Sequence, residues 1–149
     1  MSHADIPAGF APIFRTSAFL ETIGPLYSAG CGAQLVVGLR VQEKHTNARG
    51  MLHGGVLASI ADIALGYGLA TSTSPPTSMV TANLSVDFAG SAQIDDWIET
   101  TLDIQKVGSR MAFANVYFSV GGERIARASG VFLVTARAVR HAREGGDPA

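Results

Sequence analysis

The sequence predicts an α+β fold in which an antiparallel sheet of five or six strands wraps one long central helix. Apolar or small residues fill the segment from Gly54 to Ser72, which is too long for a strand and lacks the polar face of a surface helix. One run with a two-residue hydrophobic period precedes this segment, and four such runs follow it. The order strand, long helix, four strands is typical of a sheet that covers a single helix.

The elements before the helix are predicted from turn residues and periodicity. The mixed apolar stretch from Phe10 to Ile23 predicts a short helix, with Pro12 in its first turn and Gly24-Pro25 after its end. Residues 1–25 would then form a helical flank beside the sheet. From Gln34 to Val41 apolar residues alternate with smaller or polar ones, which predicts the first long strand.

Glycines mark the elements from the central helix onward. Gly66 and Gly68 each weaken helix propensity by about 1 kcal/mol relative to Ala, and they allow another backbone to approach closely. Four strands are predicted after the helix, namely Ser78 to Phe88, Trp97 to Val107, Arg110 to Val120 and Arg124 to Val134. Turns at Gly90, Gly108 and Gly121-Gly122 separate them. Residues 138–149 have too little apolar content to pack and are predicted to be disordered.

Composition limits the classes of function. At 149 residues the chain fits one domain, and 47% hydrophobic against 15% charged residues indicates apolar surface buried between subunits. The formal net charge of −1 provides no basic field for nucleic acid. No run reaches the roughly 18 unbroken apolar residues of a membrane-spanning helix. We therefore expect a self-associating protein that binds neither nucleic acid nor membrane.

Cysteine usage and the first residues bear on the compartment. The single cysteine, Cys31, excludes an intrachain disulfide, and no His or acid near it in the sequence would activate its thiol. We interpret Cys31 as an inert thiol rather than a nucleophile. The opening residues lack the charged start and apolar run of a signal peptide. The sequence therefore predicts a reducing, cytoplasmic location.

Asp62 is the one formally charged residue between Gly54 and Ser74. Asp is a poor helix former, and at mid-helix it cannot act as an N-cap. Among apolar neighbours an unpaired carboxylate would cost several kcal/mol in desolvation, and such a position is typical of a functional acid. The alternative is that Asp62 points to solvent on a narrow polar stripe with Ser59. Gly66, one turn later, leaves room beside the carboxylate for a ligand.

The helix start provides a second candidate group. His53-Gly54-Gly55 opens the helix, where free N–H groups and about half a unit of positive charge can hold the oxyanion of an acyl transfer. Paired glycines also occur in plain turns. Gly54 and Asp62 are eight residues apart, about 12 Å along a helix, so they cannot act on one carbonyl together. If both touch the same substrate, Asp62 must come from a second, antiparallel copy of the helix across a two-fold axis.

These residues resemble a known motif. Asn47-Ala48-Arg49-Gly50-Met51-Leu52-His53-Gly54-Gly55, followed by Asp62, is similar to the N-x-x-G-x-L-H-G-G-x(6)-D pattern of hotdog thioesterases of the phenylacetate-pathway (PaaI-like) family. The resemblance covers Val36 to Val134. It implies a hotdog acyl-CoA thioesterase that uses no cofactor or metal and forms a homodimer or homotetramer. It also implies that Gly54 polarises the thioester carbonyl, that Asp62 is base or nucleophile, and that Asn47 orients carbonyl or water.

The resemblance implies further site residues around this motif. Some relatives carry a Ser or Thr on the strand after the helix to hold the attacking water. The aligned residue here is Met79, so Ser78, Thr81 or Asn47 would have to take this role. Gly55 is assigned to substrate binding. His53 is expected to brace the loop, with acid/base catalysis as the alternative, and Asn47 taken by itself would equally suit a turn.

Coenzyme A requires cations or amides for its phosphates. The turn Gly108-Ser109-Arg110, preceded by Lys106, offers both at a strand boundary. Basic turns are also common as plain solvated surface. We therefore assign this turn to CoA binding as an expectation to be tested.

Two other functions suit the same fold. A hotdog hydratase would carry a His five residues after Asp62, where this chain has Tyr67, and a dehydratase would carry a Glu on the helix. A non-catalytic acyl-CoA sensor would usually bring a DNA-binding domain, for which the chain has no room. We therefore expect hydrolysis of an aromatic or medium-chain acyl-CoA. Its acyl pocket would be formed by Tyr67, the loop from Ser72 to Ser78, the N-terminal helix and a partner chain.

Overall fold

The computed structural model of the protein describes residues 6–135. The α-helices of this part of the chain are α1, Ala18–Ile23, and α2, Gly54–Thr71, and short 3-10 helices span Gly32–Gln34 and Glu43–His45. The strands are β1 Ala11–Pro12, β2 Tyr27–Ala29, β3 Val36–Arg40, β4 Met79–Phe88, β5 Trp97–Val107, β6 Met111–Val120 and β7 Glu123–Val134. The predicted disordered tail, residues 138–149, lies outside the described residues.

All seven strands form one antiparallel sheet in the order β1-β2-β3-β5-β6-β7-β4. Strand β4 follows α2 directly in sequence but lies at the edge of the sheet, paired on one side with β7. An edge strand presents a row of backbone N–H and C=O groups without ladder partners. Ten residues of such an edge are therefore available along β4.

Helix α2 packs on the inner face of the sheet and carries much of the core. Its buried residues include Leu57, Ile60 and Leu65, which join inward side chains such as Val116 and Phe118 in one apolar cluster. Burial of this kind is the main stabilising contribution to a small domain.

Gly68 shows why the helix tolerates poor helix formers. A Cβ at Gly68 would collide with the side chain of Leu102 and would come within 3.3 Å of the Gly32 carbonyl oxygen. The predicted close approach of another backbone is confirmed at this position. At Gly66, an added Cβ would lie 3.3 Å from a ring carbon of Phe132.

The N-terminal helix prediction is wrong over its first half. The helix begins at Ala18, because Ser17 is its N-cap and accepts a hydrogen bond from the Leu20 N–H at 3.3 Å. Pro12 lies in β1, at a sheet edge where its missing N–H is tolerated. With β1 and β2 the sheet has seven strands rather than five or six. Strands of two and three residues are too short to show a hydrophobic period.

By length and composition alone, α2 could cross a membrane. The core helix of a folded domain has the same length and composition. Eight residues of α2 are buried within the described fold, and this packing accounts for its apolar sequence.

Candidate active site

The start of α2 presents a free backbone donor. His53 occupies the N-cap, and its Nδ1 accepts a hydrogen bond from the Gly55 N–H at 2.8 Å. The Val56 N–H donates to the His53 carbonyl at 3.0 Å. Within residues 6–135, no hydrogen bond uses the Gly54 N–H. This amide therefore remains available at the positive end of the helix, whereas the Gly55 amide is occupied by the cap.

His53 itself is exposed and uses one ring nitrogen to cap the helix. This geometry favours the bracing role over acid/base catalysis. The loop before it rests on the buried ring of His45, whose carbonyl accepts from the His53 N–H at 2.8 Å. The His45 Nδ1 accepts from the Gln42 N–H, and its Nε2 donates to the Ile23 carbonyl at 2.6 Å. Burial lowers the pKa of His45, which favours the neutral ring that these two bonds require.

Asn47 is both a turn residue and a candidate ligand-binding residue. Its side-chain oxygen accepts from the Arg49 N–H at 2.9 Å and from the Met51 N–H at 3.2 Å. Two backbone donors fix the orientation of the amide, because its nitrogen cannot accept them. The Nδ2 group is left to donate, so Asn47 can bind a carbonyl or water oxygen. Its side-chain oxygen already accepts the two backbone hydrogen bonds.

Asn47 and Gly54 line one cleft of about 460 Å³. Its wall also includes Arg49, Ser91 and the ring of Phe88, which is 54% exposed. An ideal Cβ at Gly54 would lie 3.1 Å from the nearest atoms of this ring. A side chain at Gly54 would therefore displace Phe88 and cover the free amide.

Asp62 lies in a second cleft, of about 900 Å³. Its carboxylate is half-buried, while neighbouring Ile60 and Leu65 point into the core. The Thr81 hydroxyl on β4 donates to Asp62 Oδ1 at 2.5 Å. Neither expectation for this residue is met as stated, since the carboxylate is neither enclosed by apolar side chains nor placed on an open polar stripe. It faces a cleft, with Oδ2 free of hydrogen bonds within the described chain.

The hydroxyl nearest Asp62 comes from Thr81, two residues beyond the aligned position Met79. Ser78, Met79 and Thr81 all line the Asp62 cleft, and Thr81 alone of the three bonds to the carboxylate. Strand β4 has a register shift between Thr81 and Asn83. A shift in strand register changes which side chains face the helix. The sequence alignment that uses Asn83 as its reference and selects Met79 does not reveal this shift.

The two candidate groups do not meet within one chain. Gly54 belongs to the smaller cleft and Asp62 to the larger one, as their separation of about 12 Å along the helix requires. Each cleft therefore carries half of the predicted site.

The predicted CoA-binding turn lies apart from both clefts. Gly108 donates its N–H to the Met111 carbonyl, and Ser109 and Arg110 are exposed. The Arg110 carbonyl accepts from the Val134 N–H, and Val134 is paired with Met79. Arg110 therefore lies at the same end of the sheet as Ser78 and Met79.

The N-terminal segment was predicted to line the acyl pocket as a helix. Residues 14–20 do form one wall of the Asp62 cleft, but in a non-helical path that ends in α1. The position of Phe88 over Gly54 was not predicted. The apolar residues Phe14 and Phe19 were the visible signal for the wall, but their path depends on contacts with Tyr67 on α2.

Comparison with known proteins adds an independent line of evidence. Residues 49–127 match the family model described as the thioesterase superfamily. The Pseudomonas aeruginosa protein named "Putative esterase PA0474" is 46% identical over 129 residues, covering 86% of this chain and 96% of that protein. Human acyl-coenzyme A thioesterase 13 is 29% identical over 117 residues, covering 78% and 77%.

A solved structure has the same architecture. The Escherichia coli PaaI protein, from the phenylacetic acid degradation operon, superposes with a TM-score of 0.73. It is 19% identical in sequence, and the match covers 80% of this chain and 86% of that one. At this identity the likeness concerns the fold, which is the hotdog arrangement of a helix wrapped by an antiparallel sheet.

Proposed function

Because the chain belongs to the thioesterase superfamily, we propose that it hydrolyses acyl-CoA at a site shared between two protomers. The observation that carries the proposal is the division of the site. One cleft holds a free amide at a helix start, the other holds a carboxylate with a hydroxyl partner, and one chain does not bring them together.

A two-fold axis between β4 strands would join the two clefts. Asp62 lies beside Thr81, and Gly54 lies beside Phe88. Bringing Asp62 of one protomer to the partner's Gly54 therefore places Thr81 near the partner's Phe88. The axis would then pass close to Ala58, the midpoint between Gly54 and Asp62, where a small side chain allows two helices to approach.

The same pairing between the β4 strands of two protomers would also join the two clefts into one. Antiparallel pairing that sets Thr81 against the partner's Phe88 brings Met79 near the partner's Gly90. Met79 lines the Asp62 cleft, and Gly90 lines the Gly54 cleft. The edge of β4 supplies ten residues of backbone for such pairing, and the pairing yields two equivalent sites in each dimer.

The chemistry follows from the groups in each half. The Gly54 N–H would polarise the thioester carbonyl and then hold the oxyanion. In the water route, Asp62 takes a proton as the water oxygen attacks the carbonyl carbon, the C–S bond breaks, and the proton passes to the leaving thiolate. In the nucleophilic route, an Asp62 oxygen attacks the carbonyl carbon, and the C–S bond breaks to release the CoA thiolate. Water then opens the mixed anhydride, which yields the free acid and restores the Asp62 carboxylate, and the proton released passes to the thiolate.

Thr81 and Asn47 would position the reactants. By donating to Oδ1, Thr81 fixes the carboxylate and leaves Oδ2 to face water or thioester. The Asn47 Nδ2 group can hold the water, and for this reason we favour the water route. In oxygen-18 water, single-turnover hydrolysis would label the product acid at once in that route. In the other route it would label Asp62 first, where water opens the anhydride at the Asp62 carbonyl carbon.

The bound CoA moiety would extend from the reaction centre toward positively charged side chains. Arg49 makes no ion pair in the described part of the chain and lines the Gly54 cleft. The proposed register would bring the partner's Arg49 to the same end of the sheet as Lys106 and Arg110, whose charges suit phosphates. We therefore keep the Gly108-Ser109-Arg110 turn as part of the CoA site.

Assembly and location are part of the same proposal. Exposed Met111, Phe113 and Leu133 on the outer face of the sheet suit pairing of dimers into a homotetramer. A free, exposed Cys31 suits a reducing cytoplasm.

The test is a panel of acyl-CoA thioesters, with release of the CoA thiol followed by a thiol reagent. We expect turnover with stoichiometric free acid, by a species no smaller than a dimer. A hydratase would consume an enoyl-CoA without releasing thiol, and a binding protein would release none. A stable 15.5 kDa monomer with full turnover would contradict the shared site.

A further inference from the structure

The larger cleft continues well beyond Asp62. From Asp62 it follows α2 past Gly66 to Ala70 and Thr71, while residues 14–20 form the opposite wall. We call residues 14–20 the wall segment. At about 900 Å³ the cleft has the size of a small-molecule site, so the shared reaction centre occupies only one end of it.

The wall segment is fixed at both ends. Before it, the Ile13 N–H donates to the Leu26 carbonyl at 3.0 Å. At its end, Leu20 is buried in the core. Between these points the Tyr67 hydroxyl donates to the Arg15 carbonyl at 3.3 Å, and the rings of Phe14 and Tyr67 have centroids 5.4 Å apart. The width of the cleft is therefore set by contacts between the wall segment and α2.

The lining of this cleft suits a hydrocarbon chain. Leu20, Ile63, Leu84 and Phe132 supply apolar surface, and Gly66 and Ala70 leave space along the helix. Apolar surface removed from water stabilises a bound chain roughly in proportion to its area.

The hydroxyl groups of Thr71, Ser17 and Thr77, which line the far end of the cleft, already have partners. Thr71 donates to the Tyr67 carbonyl and accepts from the Gly32 N–H, Ser17 caps α1, and Thr77 pairs with Thr73. A bound hydrocarbon would thus leave these groups satisfied. A pantetheine arm would bring amides that need new partners. The free donors of Asn47 and Arg49 lie in the other cleft. In this cleft the Arg15 guanidinium and the Ser78 hydroxyl have no hydrogen-bond partner within the described chain, but both residues are exposed, so water can satisfy them.

We propose that the acyl chain lies along α2 between the helix and the wall segment, and that Ala70 sets the longest chain accepted. This inference rests on the proposed thioesterase function. Eight residues separate Asp62 from Ala70, about 12 Å along the helix. A saturated chain advances roughly 1.25 Å per carbon, given C–C bonds near 1.5 Å. The cleft therefore accommodates linear acyl groups of about eight to ten carbons and favours them over compact aromatic ones.

The test compares Ala70→Leu with the wild-type dimer on linear acyl-CoAs from butyryl to tetradecanoyl and on phenylacetyl-CoA. Wild type should be most active near octanoyl- and decanoyl-CoA. In Ala70→Leu, kcat/KM for decanoyl-CoA should fall about tenfold or more relative to butyryl-CoA, because one methylene in an apolar pocket is commonly worth 10-fold or more. Ala70→Val should give a smaller change in the same direction and a second reading if the Leu variant folds poorly. Ala8→Leu, the same substitution at an exposed position before β1 that lines neither cleft, should leave the profile unchanged.

Three results would overturn the inference, and they are distinguishable. If Ala70→Leu raises KM equally for every chain length, the cleft holds the CoA arm instead. If phenylacetyl-CoA is the best substrate and the profile of Ala70→Leu is unchanged, the chain does not extend along α2. If wild type releases no thiol from any acyl-CoA, the proposed function fails together with this inference.

Discussion

The start and the middle of α2 carry the two halves of the proposed site, and they are built from different kinds of group. At the start, the proposed functional group is a backbone N–H of Gly54, held by a cap that spans three residues. In the middle, it is the side chain of Asp62, held by Thr81 nineteen residues away on an edge strand. The first half is determined by local sequence and the second by tertiary packing. Changes at the start should therefore act through the backbone, and changes in the middle through a single side chain.

The largest effect is expected from Asp62→Asn. The substitution keeps the size of the side chain and an oxygen that can accept from Thr81, but it removes the charge. Loss of a catalytic base or nucleophile should lower kcat by about 100- to 10,000-fold, measured as thiol release under saturating acyl-CoA, with substrate binding retained. Asp95→Asn is the control, because Asp95 is exposed and its left-handed φ of 75° suits Asn. Normal turnover of Asp62→Asn would place the chemistry elsewhere.

The division between the halves can be tested directly by mixing inactive protomers. Gly54→Val obstructs the amide, which should cost about 100-fold or more, and Asp62→Asn disables the other half. A mixed dimer keeps one intact site, formed by Gly54 of one protomer and Asp62 of the other. Random exchange should then restore about a quarter of wild-type activity, because half of the dimers are mixed and each has one site of two. A site confined to one protomer would give no recovery after the two variants are unfolded and refolded together.

A smaller effect is expected from Thr81→Val, which preserves shape and removes the hydroxyl. Without this bond Asp62 can rotate away from the thioester, so kcat should fall about tenfold, the equivalent of ~1.4 kcal/mol, with KM little changed. Thr81→Ser should restore most of the activity, since it returns the hydroxyl. The control is Thr101→Val, the same substitution at an exposed position of β5. Equal losses in the Thr81 and Thr101 variants would mean that the hydroxyl has no positioning role.

The same contrast explains what the sequence could predict. The long helix, the four later strands and the candidate pair Gly54 and Asp62 follow from periodicity and from a short motif, and local patterns of this kind are visible in one sequence. The bond from Thr81 depends on the register of β4, which shifts between Thr81 and Asn83. The wall segment depends on where Phe14 meets Tyr67. Contacts between segments distant in sequence leave no period or spacing that a single chain would reveal.

The smallest effect is expected at His53, and it separates bracing from acid/base catalysis. Its Nδ1 caps the Gly55 N–H, so His53→Ala should lower the free energy of unfolding by about 1 kcal/mol, measured by urea denaturation. Asn is also a good N-cap, and His53→Asn should therefore recover most of this stability. If the ring only braces the loop, His53→Asn should also keep its activity, because the Gly54 amide stays in place. A proton-transfer role predicts the opposite pattern, in which His53→Asn is as stable as wild type but loses activity by 100-fold or so. The two measurements together decide the role, since a cap is preserved by any good acceptor at this position whereas proton transfer requires the imidazole.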